Sequence, residues 1–129
     1  MEDRAHHRQE LGKTGEDLAC VFLQKNGHTI LERNWRWGHL EIDIITWNPD
    51  GIHFVEVKAR RFSVQAPPQD NVDNLKQRRI AKAATKFLLT SKGIPFSECE
   101  CFFDVAAVTF EAEKSRIEYF EQAYIPIYL

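Results

Sequence analysis

The chain is 129 residues long, enough for one domain with a single hydrophobic core, and its 43% apolar and 28% charged residues exclude a disordered or fibrous protein. No apolar run reaches the ~20 residues needed to span a bilayer, and the charged start Met1-Glu2-Asp3-Arg4 is not a secretory signal, so the expectation is a cytoplasmic protein with no membrane partner. The net charge of −2 excludes a uniformly basic chain, yet residues 53–92 carry nine Lys or Arg against three acids, between flanks of −3 (residues 1–52) and −5 (residues 93–129). A positive middle suits a local anionic partner or a solvated basic helix.

Residues 1–10 are polar and read as a frayed start, which leaves 11–129 as the single domain. A helix is predicted over about 15–26. Thr14 with Asp17 three residues on is like a capping box, Gly27 suits the C-terminal cap, and Leu18, Ala19, Phe22 and Leu23 make the apolar stripe. His28 to Trp35 reads as a strand. Two further strands, around Glu41 and Glu56, are joined by Asn48-Pro49-Asp50-Gly51, a strong turn signal that makes them a hairpin. Residues 60–72, with Pro67-Pro68 and no clear period, read as a mobile loop. A second helix is predicted from about Asp73 to Lys92, ended by Gly93 and Pro95. Phe102 to Phe110 and Ile117 to Phe120 read as strands. The apolar tail 123–129 must pack on the body or on a second copy, so a homodimer is an expectation. The order α-β-β-β-α-β-β predicts an α/β fold, a mixed β-sheet flanked by helices.

Asp43 and Glu56, thirteen residues apart, carry the chemistry. Strand side chains alternate with a period of two, so Glu41 and Asp43 are expected on one face and Glu56 and Lys58 on one face of the neighbouring strand. Acids are depleted in strands, and like charges on facing positions repel unless a cation intervenes. Magnesium takes oxygen ligands and only a few carboxylates. A bound cation lowers the pKa of a coordinated water and neutralises a scissile phosphate, and Lys58 would place a positive charge where negative charge develops. The pattern points to metal-dependent phosphodiester hydrolysis with Mg²⁺ or Mn²⁺, the bland alternative being two half-exposed strands with solvated faces. Glu41 is a ligand or an outer-shell group.

Glu16 sits at the border of the first helix's apolar stripe, where an acid also meets the helix dipole favourably; spacing alone leaves both readings open. Arg78, Arg79, Lys82 and Lys86 lie opposite the apolar side of the second helix, solvated or phosphate-facing. Lys76 lies on the flank and either snorkels or points into the cleft. Arg60 and Arg61 leave the same strand end as Lys58 and suit a nucleic-acid backbone. Cys20, Cys99 and Cys101 are an odd set lacking a second pair at zinc-site spacing and read as reduced thiols. The histidines form no set in the sequence, and Trp35 and Trp37 read as core.

Asp43 followed by Glu56-Val57-Lys58 resembles the PD-(D/E)XK signature of the restriction-endonuclease-like fold. Gly15-Glu16-Asp17-Leu18-Ala19, Arg33-Asn34-Trp35-Arg36, Glu41-Ile42-Asp43-Ile44-Ile45, Phe54-Val55-Glu56-Val57-Lys58-Ala59-Arg60, Lys76-Gln77-Arg78-Arg79-Ile80 and Phe103-Asp104-Val105, in that order, resemble the small bacterial YraN family over about residues 11–125. The family is similar to Holliday-junction resolvases and the tRNA-endonuclease-like superfamily. The resemblance implies a restriction-endonuclease-like domain in which Glu16 joins Asp43 and Glu56 at the metal, Lys58 is catalytic, and Lys76 matches a lysine early in the second long helix. Two positions depart: Ile42 replaces the proline of the literal PD, and Leu40 stands where relatives often have glycine.

The expectation is therefore a nuclease using Mg²⁺ or Mn²⁺, with Lys58, Asp43, Glu56 and Glu16 catalytic, Asp43, Glu56, Glu16 and Glu41 at the metal, and Arg60, Arg61, Lys76 and Arg79 on nucleic acid, DNA in preference to RNA. The alternative is a non-catalytic nucleic-acid-binding module that retains the nuclease fold. A protein-interaction adapter using the apolar tail is a third reading.

Overall fold

The computed structural model describes residues 4–62 and 72–125. In chain order these form α1 (Arg4–Lys25), β1 (Thr29–Trp37), β2 (Leu40–Asn48), β3 (Gly51–Arg61), α2 (Asn74–Leu88), a 3₁₀ turn (Ile94–Phe96), β4 (Cys101–Glu111) and β5 (Lys114–Phe120). This is the expected α-β-β-β-α-β-β order. The strands form one mixed sheet, β1-β2-β3-β4-β5, antiparallel except for the β3–β4 pair. A parallel pair needs a long crossover, and the segment carrying α2 supplies it. α2 packs Ile80, Ala83, Ala84 and Phe87 onto Ile45, Phe54, Phe103 and Val105 on one face of the sheet. α1 packs Ala19, Cys20 and Leu23 onto Ile44, Val55 and Ala106 on the other.

The first helix begins at Arg4, not Gly15. Residues 4–10, expected to fray, are helical, and Thr14 lies inside the helix and caps nothing. Its spacing to Asp17 mimics a cap because i, i+3 neighbours share a helix face anywhere along it. The other end matches expectation. Gly27 has φ +87, and the His28 N–H donates to the Leu23 carbonyl at 2.9 Å while the Gly27 N–H donates to Gln24 at 3.2 Å. These are the two hydrogen bonds of a Schellman cap.

The β2–β3 turn is closed by the Asn48 side chain, whose Oδ1 accepts from the Asp50 N–H at 3.0 Å and the Gly51 N–H at 3.3 Å. A Cβ at Gly51 would collide with the Glu100 carbonyl, so the turn also docks against the start of β4. Asp73 caps α2 by accepting from the Lys76 N–H at 2.8 Å. α2 stops at Leu88, four residues early, where Leu89 and Thr90 turn the chain. β5 starts at Lys114, three residues before the expected Ile117.

The apolar tail begins packing within the chain: the Ala123 N–H donates to the Phe103 carbonyl at 2.9 Å, and the Tyr124 ring lies 5.6 Å from that of Phe103. Its last residues, 126–129, and the Pro67-Pro68 loop fall outside the described residues. All three cysteines are free thiols. Among the described residues no helix is long and apolar enough to cross a membrane.

Candidate metal and phosphate site

The sheet forks at Asp43. β2 pairs with β3 only from Ile44↔Val55 to Asn48↔Gly51, whereas its first half pairs with β1 alone and β3 runs on beside β4 to Arg61. Where the β2–β3 ladder stops, the Asp43 side chain replaces the missing backbone acceptor: its Oδ2 takes the Val57 N–H at 2.8 Å. A buried N–H needs an acceptor, and meeting that need draws the carboxylate into the fork beside Glu56.

Strand alternation fails at the same point. Ile42 packs in the α2 layer and Ile44 in the α1 layer, although they are two positions apart and should share a face. On β1, Arg33 reaches Asp17 on α1 at 2.7 Å, while Trp35 makes an edge contact with Phe87 on α2 at 5.3 Å. The pairs Arg33↔Ile44 and Trp35↔Ile42 bracket Asn34, which has φ +51. Asparagine tolerates that left-handed conformation better than other side-chain-bearing residues. Both strands thus reverse faces across Asn34 and Asp43. The expectation that Glu41 shares a face with Asp43 is therefore corrected. Glu41 is exposed and pairs with Arg36 Nε at 3.5 Å, because a period of two holds only in unbroken ladders.

Glu56 is 7% exposed and forms an ion pair with Lys76 Nζ from the first turn of α2. Lys76, open between two readings from sequence, points into the cleft. Burial pulls its ammonium pKa down, but the hydrogen bond and charge of Glu56 outweigh this and leave it raised. Burial pushes the Asp43 carboxyl up to about 8, aided by the Glu56 charge and by a hydrogen bond between the two carboxyls. Lys58, two residues beyond Glu56 on β3, lies on the same face by strand alternation.

Glu16 reaches the site through α1. Gly15 lets the helix ride directly over β3, since a Cβ there would lie 2.7 Å from the Ala59 Cβ. Asn34 Nδ2 donates to Glu16 Oε2 at 3.1 Å, and Arg33 approaches at 3.8 Å. Burial raises the Glu16 pKa despite these partners, and its charge in turn raises that of Asp43. Gly15→Val is expected to lift α1 off β3, lowering stability by about 1–3 kcal/mol and weakening Mn²⁺ binding. Thermal melts and calorimetric titration check the two effects together.

The structure thus joins Asp43 and Glu56, holds Glu16 within electrostatic reach, and leaves Glu41 on the rim. Among the described residues no three acidic, histidine or cysteine side chains are clustered closely enough to form a complete ligand set as they stand. The Asp43–Glu56 pair nonetheless suits a hard divalent cation: both are oxygen donors, and their mutual repulsion is what a cation relieves. The basic residues separate. Arg60 shares the Lys58 face, and both line one cavity. Arg61 lines a different cleft with Leu11 and Thr14 of α1. Arg79 lines a cleft of about 320 Å³ with Leu40, Glu41 and Lys76, so the leucine at the departing position forms a wall of it. Trp35 is packed, whereas Trp37 is 49% exposed with the Lys86 ammonium 5.7 Å from its ring centre.

A profile of the family described as "Uncharacterised protein family UPF0102" matches residues 15–108. The chain belongs to the UPF0102 family, the YraN family. A UPF0102 protein of Chlorobium chlorochromatii is 45% identical over 112 residues, covering 86% of this chain and 84% of its own length. One from Desulforamulus reducens is 39% identical and covers 84% and 88%, and one from Geobacter metallireducens is 38% identical and covers 92% and 94%. The matched region contains Glu16, Asp43, Glu56 and Lys58.

This UPF0102 chain also holds a polar network that sequence reasoning missed. Asp104, fully buried, accepts from the Tyr119 hydroxyl and from the Gln122 N–H at 2.9 Å, and pairs with His53 Nδ1 at 2.7 Å. His53 Nε2 meets Asn48 Oδ1 at 2.9 Å, and His28 Nδ1 meets Thr46 Oγ1 at 2.7 Å. Burial lowers the His28 pKa, and burial and Asp104 raise that of Tyr119. The histidines that stand apart in sequence have rings 4.6 Å apart here. Asp104 binds β5 and the following turn to the sheet, which accounts for the Phe103-Asp104-Val105 motif without a role at the acids. A buried histidine beside an aspartate was the available signal, and only pairing of β3 with β4 makes them neighbours.

Proposed function

We propose that this protein is a metal-dependent nuclease that hydrolyses nucleic-acid phosphodiester bonds, with DNA as the preferred substrate. The observation that carries the reading is the Asp43–Glu56 carboxyl pair held together in the β2–β3 fork, with Lys58 two residues beyond Glu56 on the same face of β3. Asp43 and Glu56 would hold Mg²⁺ or Mn²⁺, with Glu16 assisting from α1. When bound, the ion supplies a Lewis acid that neutralises charge on the scissile phosphate. Val57 N–H fixes the Asp43 carboxylate, so little reorganisation is required for binding. Lys58 offers an ammonium to the charge that develops on the phosphoryl oxygens or orients the attacking water. Lys76 compensates Glu56 in the ion's absence. The likeness to junction resolvases favours branched DNA, with the basic residues Arg60, Arg61 and Arg79 at the backbone.

The Lys76–Glu56 ion pair favours a second reading, a non-catalytic nucleic-acid-binding module, because the lysine already neutralises the buried acid. Calorimetry with Mn²⁺ separates the two. The nuclease reading expects binding by the wild type that Glu56→Ala abolishes, and metal-dependent cleavage of branched, nicked or single-stranded DNA or structured RNA. Lys58→Ala is expected to lower turnover about 10²–10³-fold while keeping Mn²⁺ affinity. Cleavage that survives Asp43→Ala, or a wild type indifferent to Mn²⁺, refutes it.

A further inference from the structure

Arg60 lies on the same face of β3 as the acids but outside their contacts. Its Nε and Nη2 are shielded from solvent and have no hydrogen-bond partner among the described residues. A buried donor without an acceptor costs ~1–3 kcal/mol, and more when charged, so a guanidinium left in this state calls for a missing acceptor. Nε and Nη2 form one edge of the guanidinium plane, with parallel N–H bonds. That edge takes two oxygens of a single oxyanion side-on.

Arg60 lines a cavity of about 230 Å³ with Lys58, Ala107, Val108 and Thr109. The parallel register sets Lys58 beside Ala107 and Arg60 beside Thr109, so the small Ala107 side chain leaves space near both cations. Among the described residues that line the cavity there is no carboxylate. The nearest acid on this face of β3, Glu56, is paired with Lys76. The unmet fork of Arg60 calls for an oxyanion, and the strand geometry says which kind. Arg60 is four residues beyond Glu56, about 13 Å along β3, within reach of a polynucleotide whose scissile ester lies at the acids.

We infer that Arg60, with Thr109, forms a pocket for one phosphate group, distinct from the carboxylate pair. The inference rests on the nucleic-acid reading only for the source of that phosphate. The pocket holds the strand, sets its register on the enzyme, and reads no base.

The test compares wild type, Arg60→Gln, Arg60→Lys and Ala107→Leu in EDTA. Calorimetry uses inorganic phosphate. Fluorescence anisotropy uses a 12-nucleotide single-stranded DNA with or without a 5′-phosphate, over a series of salt concentrations. Arg60→Gln is expected to weaken DNA binding about tenfold and to reduce the salt slope by about 0.7, the value for one lost phosphate contact on a single strand. Arg60→Lys restores the slope but not the full affinity, because an ammonium keeps the charge and loses the fork. Ala107→Leu fills the cavity and weakens binding with every charge in place, which guards against a folding defect in the arginine variants. Tighter binding of the 5′-phosphorylated strand assigns the pocket to a strand end, and equal binding assigns it to an internal phosphate. Binding of inorganic phosphate alone assigns it to a free anion. Unchanged affinity and slope in Arg60→Gln, or no response of the wild type to any probe, overturns the pocket. A parallel Mn²⁺ titration reports on the acids alone, so a protein that binds phosphate but not Mn²⁺ loses the nuclease reading and keeps the pocket.

Discussion

Asp43→Asn is expected to stabilise the metal-free protein at pH 8 and to abolish its stabilisation by Mn²⁺. The Asp43 carboxyl is pushed from its ordinary 3.8 to about 8, first by burial and then by the charge of Glu56, with Glu16 adding to it. Folding therefore raises its proton affinity. Between about pH 4 and pH 8 the folded protein keeps a proton that the unfolded chain has released. Stability must then fall as pH rises through that window, with the full penalty present above it. Each pKa unit is worth about 1.4 kcal/mol, and relaxation around the pair leaves a penalty of order 2–4 kcal/mol. Asparagine keeps the oxygen that accepts the Val57 N–H, loses the charge, and can donate to Glu56. A plot of melting temperature against pH should show the wild type declining across this interval and Asp43→Asn declining much less. Mn²⁺ at a hundred times its dissociation constant should stabilise the wild type by about 2.7 kcal/mol and leave the variant unchanged. Parallel pH curves for the two proteins would mean that Asp43 and Glu56 do not repel in solution.

Asp104→Ala is expected to cause a large loss of stability, about 3–5 kcal/mol, a fall in melting temperature on the order of 10–20 °C. The residue has no solvent exposure, and its two oxygens serve His53, Tyr119 and the Gln122 N–H. Removal strands the buried His53 and two partly buried donors, the Tyr119 hydroxyl and the Gln122 N–H, and opens a void between β3, β4 and β5. A fully apolar replacement of the whole network would be far milder, because the penalty lies in the groups left unpaired. Below its reduced melting temperature the variant should bind Mn²⁺ as the wild type does, since none of its contacts reaches Asp43 or Glu56. Loss of metal binding in the folded variant would show that the network also shapes the acids.

The element order was legible because it rests on local signals: the stripe of Leu18, Ala19 and Leu23, the Asn48-Pro49-Asp50-Gly51 turn, and the apolar side of α2. The acids Asp43 and Glu56 stood out because charge between β-branched residues is costly without a purpose. What misled was the assumption of uninterrupted alternation. It put Glu41 beside Asp43, whereas the reversal at Asn34 sends Glu41 to the rim. An asparagine at 34 permits φ +51 without requiring it, because the conformation is imposed by two helix layers drawing Arg33 and Trp35 in opposite directions.

Propensity and periodicity act over a few neighbouring residues, and they suffice to set which segments are helix and strand, which side chains seek burial, and which charges need a reason. Long-range packing alone makes Asp43 leave the ladder to meet Glu56, brings Glu16 over β3 through Gly15, turns Lys76 inward, and joins His53 to Asp104 fifty-one positions away. Each of these depends on how the backbone hydrogen bonds of separate strands are shared out, and that accounting closes only when the whole sheet is assembled.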